Sequence, residues 1–153
     1  MIQAIDHLNI VVADMERSRK FYTEVLGFTK TKEAQLSGEW IERIVGLQGV
    51  RVHAVFLVSP GGEPRIELLK YEAPAGAGFA ENSRANTLGL RHFALRVDDI
   101  AAMVAKLRAA GVEVFGEPVR VPGGVVEFDA GSHKTLVYLL DPDGVIIELA
   151  EYR

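Results

Sequence analysis

The two halves of this chain repeat one order of apolar and polar positions, and that order predicts the same elements in each half. An alternating stretch is followed by a helical periodicity and then by three more strand-like stretches. The predicted strands cover 5–12, 28–33, 51–58 and 65–71 in the first half, and 90–97, 112–121, 134–140 and 145–150 in the second. The turn sequences "SPGGEP" (59–64) and "DPDG" (141–144) predict the hairpins that join the last two strands of each half.

Each predicted helix has a capping residue before it and a glycine after it. Asp14 is placed to cap a helix over 15–26, which Gly27 ends. Asp99 caps the second helix, and Gly111 closes it. Apolar residues at i, i+3, i+4 and i+7 form the packing face of the second helix: Ile100, Met103, Val104 and Leu107.

Two segments lie outside this repeated pattern. The first, "SGEWIERIVGLQG" (37–49), has apolar positions suited to one or two turns of amphipathic helix. Such a helix either patches an open end of the sheet or acts as a lid, and we favour the patch. The second segment, 72–89, is rich in Ala, Gly and Pro at its start, which predicts a connection between the halves.

The repetition extends to individual polar residues. The stretch "IDHLNIVVADM" (5–15) aligns with "LRHFALRVDDI" (90–100), which places His7 and His92 at an offset of 85. The stretches "IELLKY" (66–71) and "IELAEY" (147–152) place Glu67 and Glu148 at an offset of 81. Each half therefore opens with a His in a strand and closes with a Glu in a strand, which indicates an internal duplication.

Because side chains in a strand alternate between its faces, the pattern also predicts where these residues point. In 5–12, Leu8, Ile10 and Val12 are suited to pack on the helix, so His7 points the other way. The same reasoning in the other three strands places three further polar residues on the face away from the helices: Glu67, His92 and Glu148. The agreement of four strands favours a common role.

Burying a carboxylate costs several kcal/mol unless it is paired or bound to a metal. A lone His in a strand is most often half-buried and hydrogen-bonded, and a lone Glu can be a charge that protects an edge strand. A His/Glu set that is paired without metal is a third interpretation. The duplicated order His, Glu, His, Glu favours a fourth, since two imidazoles and two carboxylates suit a divalent cation that accepts mixed N and O ligands.

Composition narrows the function classes. The 153 residues are most simply one domain, 48% hydrophobic and 25% charged, as in an ordinary globular protein. The net charge of −4 and the lack of a Lys/Arg run argue against nucleic acid and membrane surfaces as partners. The absence of Cys excludes disulfides, thiolate nucleophiles and Cys-ligated zinc. With no secretory or membrane-spanning pattern, we expect a cytoplasmic protein.

Four motifs together resemble the vicinal oxygen chelate superfamily: "DHLNIVVADMERSRKFYTEVLGF" (6–28), "IELLKY", "LRHFALRVDDI" and "YLLDPDGVIIEL" (138–149). The superfamily includes glyoxalase I, methylmalonyl-CoA epimerase, extradiol dioxygenases, fosfomycin-resistance enzymes and bleomycin-resistance proteins. The resemblance implies an α+β fold of two tandem βαβββ modules whose curved sheets form a metal-binding cleft. One domain, 1–153, would then contain module 1 (about 1–71), a connection (72–89) and module 2 (about 90–153). By position, the four metal ligands of the superfamily fall on His7, Glu67, His92 and Glu148.

The resemblance also implies a reaction. A carboxylate at position 67 is similar to glyoxalase I and the epimerases, so we expect a metal-dependent lyase or isomerase that acts on a small molecule with two adjacent oxygens. The metal would stabilise an enolate or enediolate while a ligand glutamate, Glu148 or Glu67, takes the proton. An Fe(II) extradiol dioxygenase that uses His7, His92 and Glu148 is one alternative, and a ligand-sequestering protein of the bleomycin-resistance type is another.

The supporting residues and the assembly are expectations of the same kind. Arg65 and Arg96 share the predicted cleft face and could hold an anionic substrate group, and Asn9 could support a ligand. The metal could be Zn, Ni, Co, Mn or Fe, because mixed His/Glu sites accept all of these ions. We expect a homodimer, with the site either within one chain or shared across the dimer interface.

Overall fold

The computed structural model describes residues 1–123 and 132–153, which form two units, Met1–Gly78 and Phe79–Arg153. The boundary falls inside the segment 72–89 that the sequence predicts as the connection. Each unit contains one four-stranded mixed sheet. Among the described residues, none of the helices is both long and apolar enough to span a membrane.

The first unit has strands β1 (His7–Val11), β2 (Thr29–Ser37), β3 (Arg51–Ser59) and β4 (Gly62–Ala73), with helices α1 (Met15–Lys20) and α2 (Glu39–Val45). The sheet order is β1-β4-β3-β2. β1 pairs with β4 in parallel, and the other neighbouring strands are antiparallel. The side chains of Ile10, Ile66 and Leu68 are buried in the core of this unit.

Helix α1 begins as the sequence predicts but changes form before its end. The Asp14 carboxylate accepts the backbone N–H of Arg17 at 3.0 Å, which caps the first turn. From Phe21 to Val25 the helix widens into a π turn, and the N–H of Leu26 donates to the carbonyl of Phe21 five residues earlier. The wider turn places Tyr22 in the core, where its ring packs edge-on against Phe28 with centroids 5.8 Å apart.

Helix α2 covers part of the sheet of the first unit. Ile41 and Val45 pack with Val52, Leu69 and Tyr71. Leu69 and Tyr71 alternate with the buried residues of β4 and lie on the same face as Glu67. Helix α2 therefore packs on the face of the sheet that carries Glu67, and whether it is a patch or a lid stays a prediction.

The second unit repeats the plan of the first with β5 (His92–Arg96), α3 (Ile100–Ala109), β6 (Val119–Arg120), β7 (Lys134–Leu140) and β8 (Ile146–Tyr152). Its sheet order is β5-β8-β7-β6, with β5 parallel to β8 and the other pairs antiparallel. The Asp99 carboxylate accepts the N–H of Ala102 at 2.9 Å and caps α3. Two βαβββ modules in tandem are therefore confirmed, with α2 as an addition to the first.

The predicted strand over 112–121 is wrong for most of its length. Only the two residues of β6 and a single bridge between Val114 and Leu139 pair with β7. Gly116 adopts φ +78°, a left-handed conformation that interrupts an extended strand, and Pro118 has no N–H to donate to a ladder. An alternating stretch with these two breakers therefore forms an irregular edge instead of a full strand.

Glu151 is a buried carboxylate that the sequence pattern does not single out. One of its oxygens accepts the backbone N–H of Ile100 at 2.8 Å, at the start of α3, and the other lies 2.5 Å from the Nε of Arg153. Its position on β8 places it on the helix side of the sheet, opposite to Glu148. The role of this second carboxylate is to join α3 to the sheet.

We expect Glu151→Gln to lower the free energy of unfolding by about 1–2 kcal/mol, because a charged acceptor of a buried N–H is replaced by a neutral amide. Urea denaturation measures the change. Glu113→Gln, at an exposed position of the same unit, is the matched control and should change the stability by less than about 0.5 kcal/mol. An equal, small effect of both variants would contradict the capping role.

Candidate metal centre

Strand alternation places the predicted residues of the first unit as expected. β1 and β4 run in parallel with Asn9 opposite Glu67 and His7 opposite Arg65. Ile10, Ile66 and Leu68, on the other face, are buried. The structure thus brings His7, Asn9, Arg65 and Glu67 together on one face of adjacent strands.

His7 and Glu67 form the first His–Glu pair. The Nε2 atom of His7 lies 3.6 Å from Oε2 of Glu67. On the other side of the ring, Nδ1 lies 2.7 Å from Oδ2 of Asp6. Because an ionised carboxylate only accepts hydrogen bonds, Asp6 favours the tautomer with the proton on Nδ1, which leaves the Nε2 lone pair directed towards Glu67.

Asn9 and Arg65 contact the carboxylates on either side of His7. The side-chain amide of Asn9 donates to Oε2 of Glu67 at 3.1 Å and to the Glu67 backbone carbonyl at 3.3 Å. The Arg65 guanidinium binds Asp6, and its Nε lies 3.5 Å from Glu63. Hydrogen bonds from His7 and Arg65 lower the pKa of Asp6 below its usual value. Arg65 therefore supports the partner of His7 and is already engaged by two carboxylates.

His92 and Glu148 form the second pair, in the second unit. The Nε2 atom of His92 lies 3.4 Å from Oε2 of Glu148, whose side chain is only 5% exposed. The ring of Tyr138 lies beside the His92 ring, with centroids 5.1 Å apart. Tyr138 is directly opposite Glu148 in the β7–β8 register and so shares its face.

The second pair differs from the first in having a cation on its carboxylate. The Nζ atom of Lys134 donates to Oε1 of Glu148, while Oε2 faces His92. Burial alone would lower the pKa of Lys134, but the hydrogen bond and charge of Glu148 outweigh burial and raise that pKa. One oxygen of Glu148 is thus already bound by a cation, whereas Glu67 receives a hydrogen bond from a neutral amide.

Comparison with known proteins places this arrangement in a family. The family model for the Glyoxalase/Bleomycin resistance protein/Dioxygenase superfamily matches residues 4–149. The chain belongs to this superfamily. The match extends over nearly all of both units, so the family assignment and the βαβββ fold support one another.

Relatives of this superfamily member include lyases and epimerases. It is 30% identical over 155 residues to a mitochondrial methylmalonyl-CoA epimerase from Homo sapiens, covering 96% of this chain and 73% of the relative. It is 31% identical over 149 residues to a probable lactoylglutathione lyase from Vibrio parahaemolyticus, covering 96% and 89%. The crystal structure of a glyoxalase family protein from Bacillus cereus superposes with a TM-score of 0.82 at 30% identity, covering 99% and 95%.

Within each His–Glu pair of this superfamily member, the distance between the two donor atoms suits binding to one divalent ion. Two ligand atoms that are each about 2.1 Å from one ion, at octahedral or tetrahedral angles, lie about 3.0–3.4 Å apart. The Nε2–Oε2 separations of 3.6 and 3.4 Å are close to that range. Over residues 1–123 and 132–153, the structure forms no group of three or more His, Asp or Glu side chains able to hold a metal. The four-residue site therefore stays a prediction.

The sequence pattern does not identify Asp6 and Lys134, which belong to these networks, as site residues. Asp6 directly precedes His7 in "IDHLN", and an acid beside a predicted ligand is a usable signal for a residue that orients the imidazole. Lys134 begins β7 on the face of Glu148, but the strand pattern does not show that its long side chain extends towards that carboxylate. Only the folded structure shows the contact between Lys134 and Glu148.

Proposed function

We propose that this protein is a divalent-metal-dependent lyase or isomerase of the glyoxalase and epimerase type, and that His7, Glu67, His92 and Glu148 ligate the metal. The observation that carries the proposal is the repeated His–Glu pair, with Nε2 and Oε2 separated by 3.6 and 3.4 Å. The names of the epimerase and lyase relatives support this class of chemistry. A cytoplasmic location and a homodimer remain predictions.

The substrate would be a small molecule with two adjacent oxygens, one of them a carbonyl. A bound divalent ion supplies a Lewis acid that stabilises the negative charge developed when an α-proton leaves. The chain itself prepares the ligands: Asp6 fixes the tautomer of His7, and Asn9 orients Glu67. Zn, Ni, Co, Mn and Fe all suit this donor set.

Glu67 is the better candidate for the general base. A residue that accepts a proton must do so without losing a strong interaction of its charged form. Either glutamate would have to loosen from the metal to accept a proton. Glu148 would in addition lose its ion pair with Lys134, whereas Glu67 would in addition lose only a hydrogen bond from the Asn9 amide. Glu148 would then serve as a fixed ligand.

Metal content is the direct test of the four-ligand proposal. Protein purified without chelator should contain about one divalent ion per chain by elemental analysis. Glu67→Ala should weaken metal affinity by at least about tenfold, because it removes a ligand. It also leaves the side-chain amide of Asn9 without its acceptor. Affinity can be measured by competition with a chromophoric chelator.

The matched control is Glu72→Ala, which lies five residues away on the same strand and is exposed. It should keep the affinity of the wild type. Metal retained at full affinity in Glu67→Ala would favour a three-ligand centre of the dioxygenase kind, and oxygen uptake with a catechol would then be measured. A wild-type protein that binds no divalent ion, even after reconstitution, would favour the ligand-sequestering alternative and overturn the proposal.

A further inference from the structure

A pocket in the second unit has an unusually basic lining. It encloses about 380 Å³ and is lined by Arg96, Ser132, Tyr152 and Arg153. Two guanidinium groups and two hydroxyl groups line it, and the residues that the structure describes around it include no Asp or Glu side chain. Tyr152 lies on β8, on the same face as Glu148.

The positive charge of this pocket is only partly balanced. Arg153 pairs with Glu151 at 2.5 Å, and the nearby Lys134 pairs with Glu148. Within the part of the chain that the structure describes, the side chain of Arg96 makes neither an ion pair nor a hydrogen bond. Its guanidinium carbon lies over an aromatic neighbour instead, 5.2 Å from the centroid of the Tyr152 ring.

An arginine in this setting is prepared to bind an anion. Contact with the aromatic ring restrains the guanidinium while leaving its N–H edge available for two parallel hydrogen bonds. Arg65, the other arginine that the sequence offers as an anion ligand, differs because Asp6 and Glu63 already engage it. The Nε of Arg65 has no hydrogen-bond partner, but Arg96 has no carboxylate beside it among the described residues and so offers more donors.

We propose that Arg96, with Tyr152, Ser132 and Arg153, forms an anion-binding subsite that takes a phosphate or carboxylate group of the substrate. The link to substrate rests on the proposed function, since it assumes that the reaction takes place at His92 and Glu148. Arg96 follows His92 by four residues on β5, which is about 13 Å along a strand. The anionic group therefore lies far from the two adjacent oxygens, and the substrate class is an elongated one that is charged at its remote end.

Binding of simple anions to the full, metal-free chain tests the subsite without any assumption about turnover. Sodium phosphate and sodium acetate are titrated separately at constant ionic strength, and backbone amide shifts are followed by NMR. Saturable shifts are expected around Arg96 and Tyr152. Arg96→Gln should weaken the binding of the preferred anion at least about tenfold, because the bidentate donor is lost.

Two control variants separate the effect of charge from the effect of the paired donors. Arg43→Gln removes an equal charge from an exposed arginine of α2, 77% exposed and paired with Glu39, and should leave anion affinity unchanged. Arg96→Lys keeps the charge but loses the planar donor pair, so an intermediate affinity is expected. Tighter binding of phosphate than of acetate would indicate a phosphorylated substrate, and the reverse order a carboxylate.

Several outcomes would overturn the subsite: no saturable binding of either anion to the wild type, equal affinities of wild type and Arg96→Gln, or an equal loss in Arg43→Gln. The result is independent of the metal experiment. Anion binding without metal binding would keep the subsite and reject the proposed metal chemistry. Metal binding without anion binding would keep the proposed metal chemistry and reject the subsite.

Discussion

In metal-free protein, Lys134→Met should lower the free energy of unfolding by about 3 kcal/mol. Lys134 and Glu148 are an ion pair whose side chains are 15% and 5% exposed. Removing one partner leaves the other as an uncompensated buried charge, which costs far more than the loss of an exposed pair. Methionine keeps the length of the side chain, so packing changes little. Urea denaturation in the presence of a chelator measures the effect.

The double variant Lys134→Met/Glu148→Gln provides the control for this interpretation. If the loss comes from the unpaired carboxylate, the double variant should regain most of the stability, and the double-mutant cycle should show strong coupling. Zinc at about 100 times its Kd should also stabilise Lys134→Met by about 2.7 kcal/mol if a metal binds Glu148. Equal stabilities of the two variants, with no response to zinc, would show that Lys134 acts through packing alone.

Much of the candidate site could be predicted from the sequence because strand geometry has a period of two. Once Ile10 and Leu68 are assigned to the buried face, His7 and Glu67 must lie on the other face. The duplication then places His92 and Glu148 in the same local positions, and both His–Glu pairs are observed. Each pair needs only two adjacent parallel strands, so a local pattern is enough to place it.

The asymmetry between the pairs could not be predicted in the same way. It depends on where a long side chain such as that of Lys134 extends, and several rotatable bonds separate that charge from its backbone. Local breaks in the pattern of the fold were missed for a different reason, because they depend on single residues. Gly116 and Pro118 convert a predicted strand into an irregular edge, and the π turn after Lys20 changes the end of a predicted helix.

The difference between the two carboxylates leads to the prediction with the largest expected effect on catalysis. Glu67→Gln should lower the rate of α-proton exchange by about 10²–10⁴-fold at saturating metal, because an amide keeps an oxygen for the metal but accepts no proton. The probes are methylmalonyl-CoA and lactoylglutathione, the compounds in the names of the relatives, each followed by ¹H NMR in D₂O. Saturating metal separates loss of the base from loss of a ligand.

Glu148→Gln is the matched comparison, since it removes the same charge from the equivalent place in the second unit. With the metal saturated, its exchange rate should fall less than that of Glu67→Gln, because Lys134 already binds one oxygen of Glu148 and a proton accepted there would break that ion pair. The reverse order would make Glu148 the base, and Lys134 would then have to release it during the reaction. A wild-type protein that exchanges no proton of either probe would exclude both compounds as substrates and leave the metal experiment to decide the reaction class.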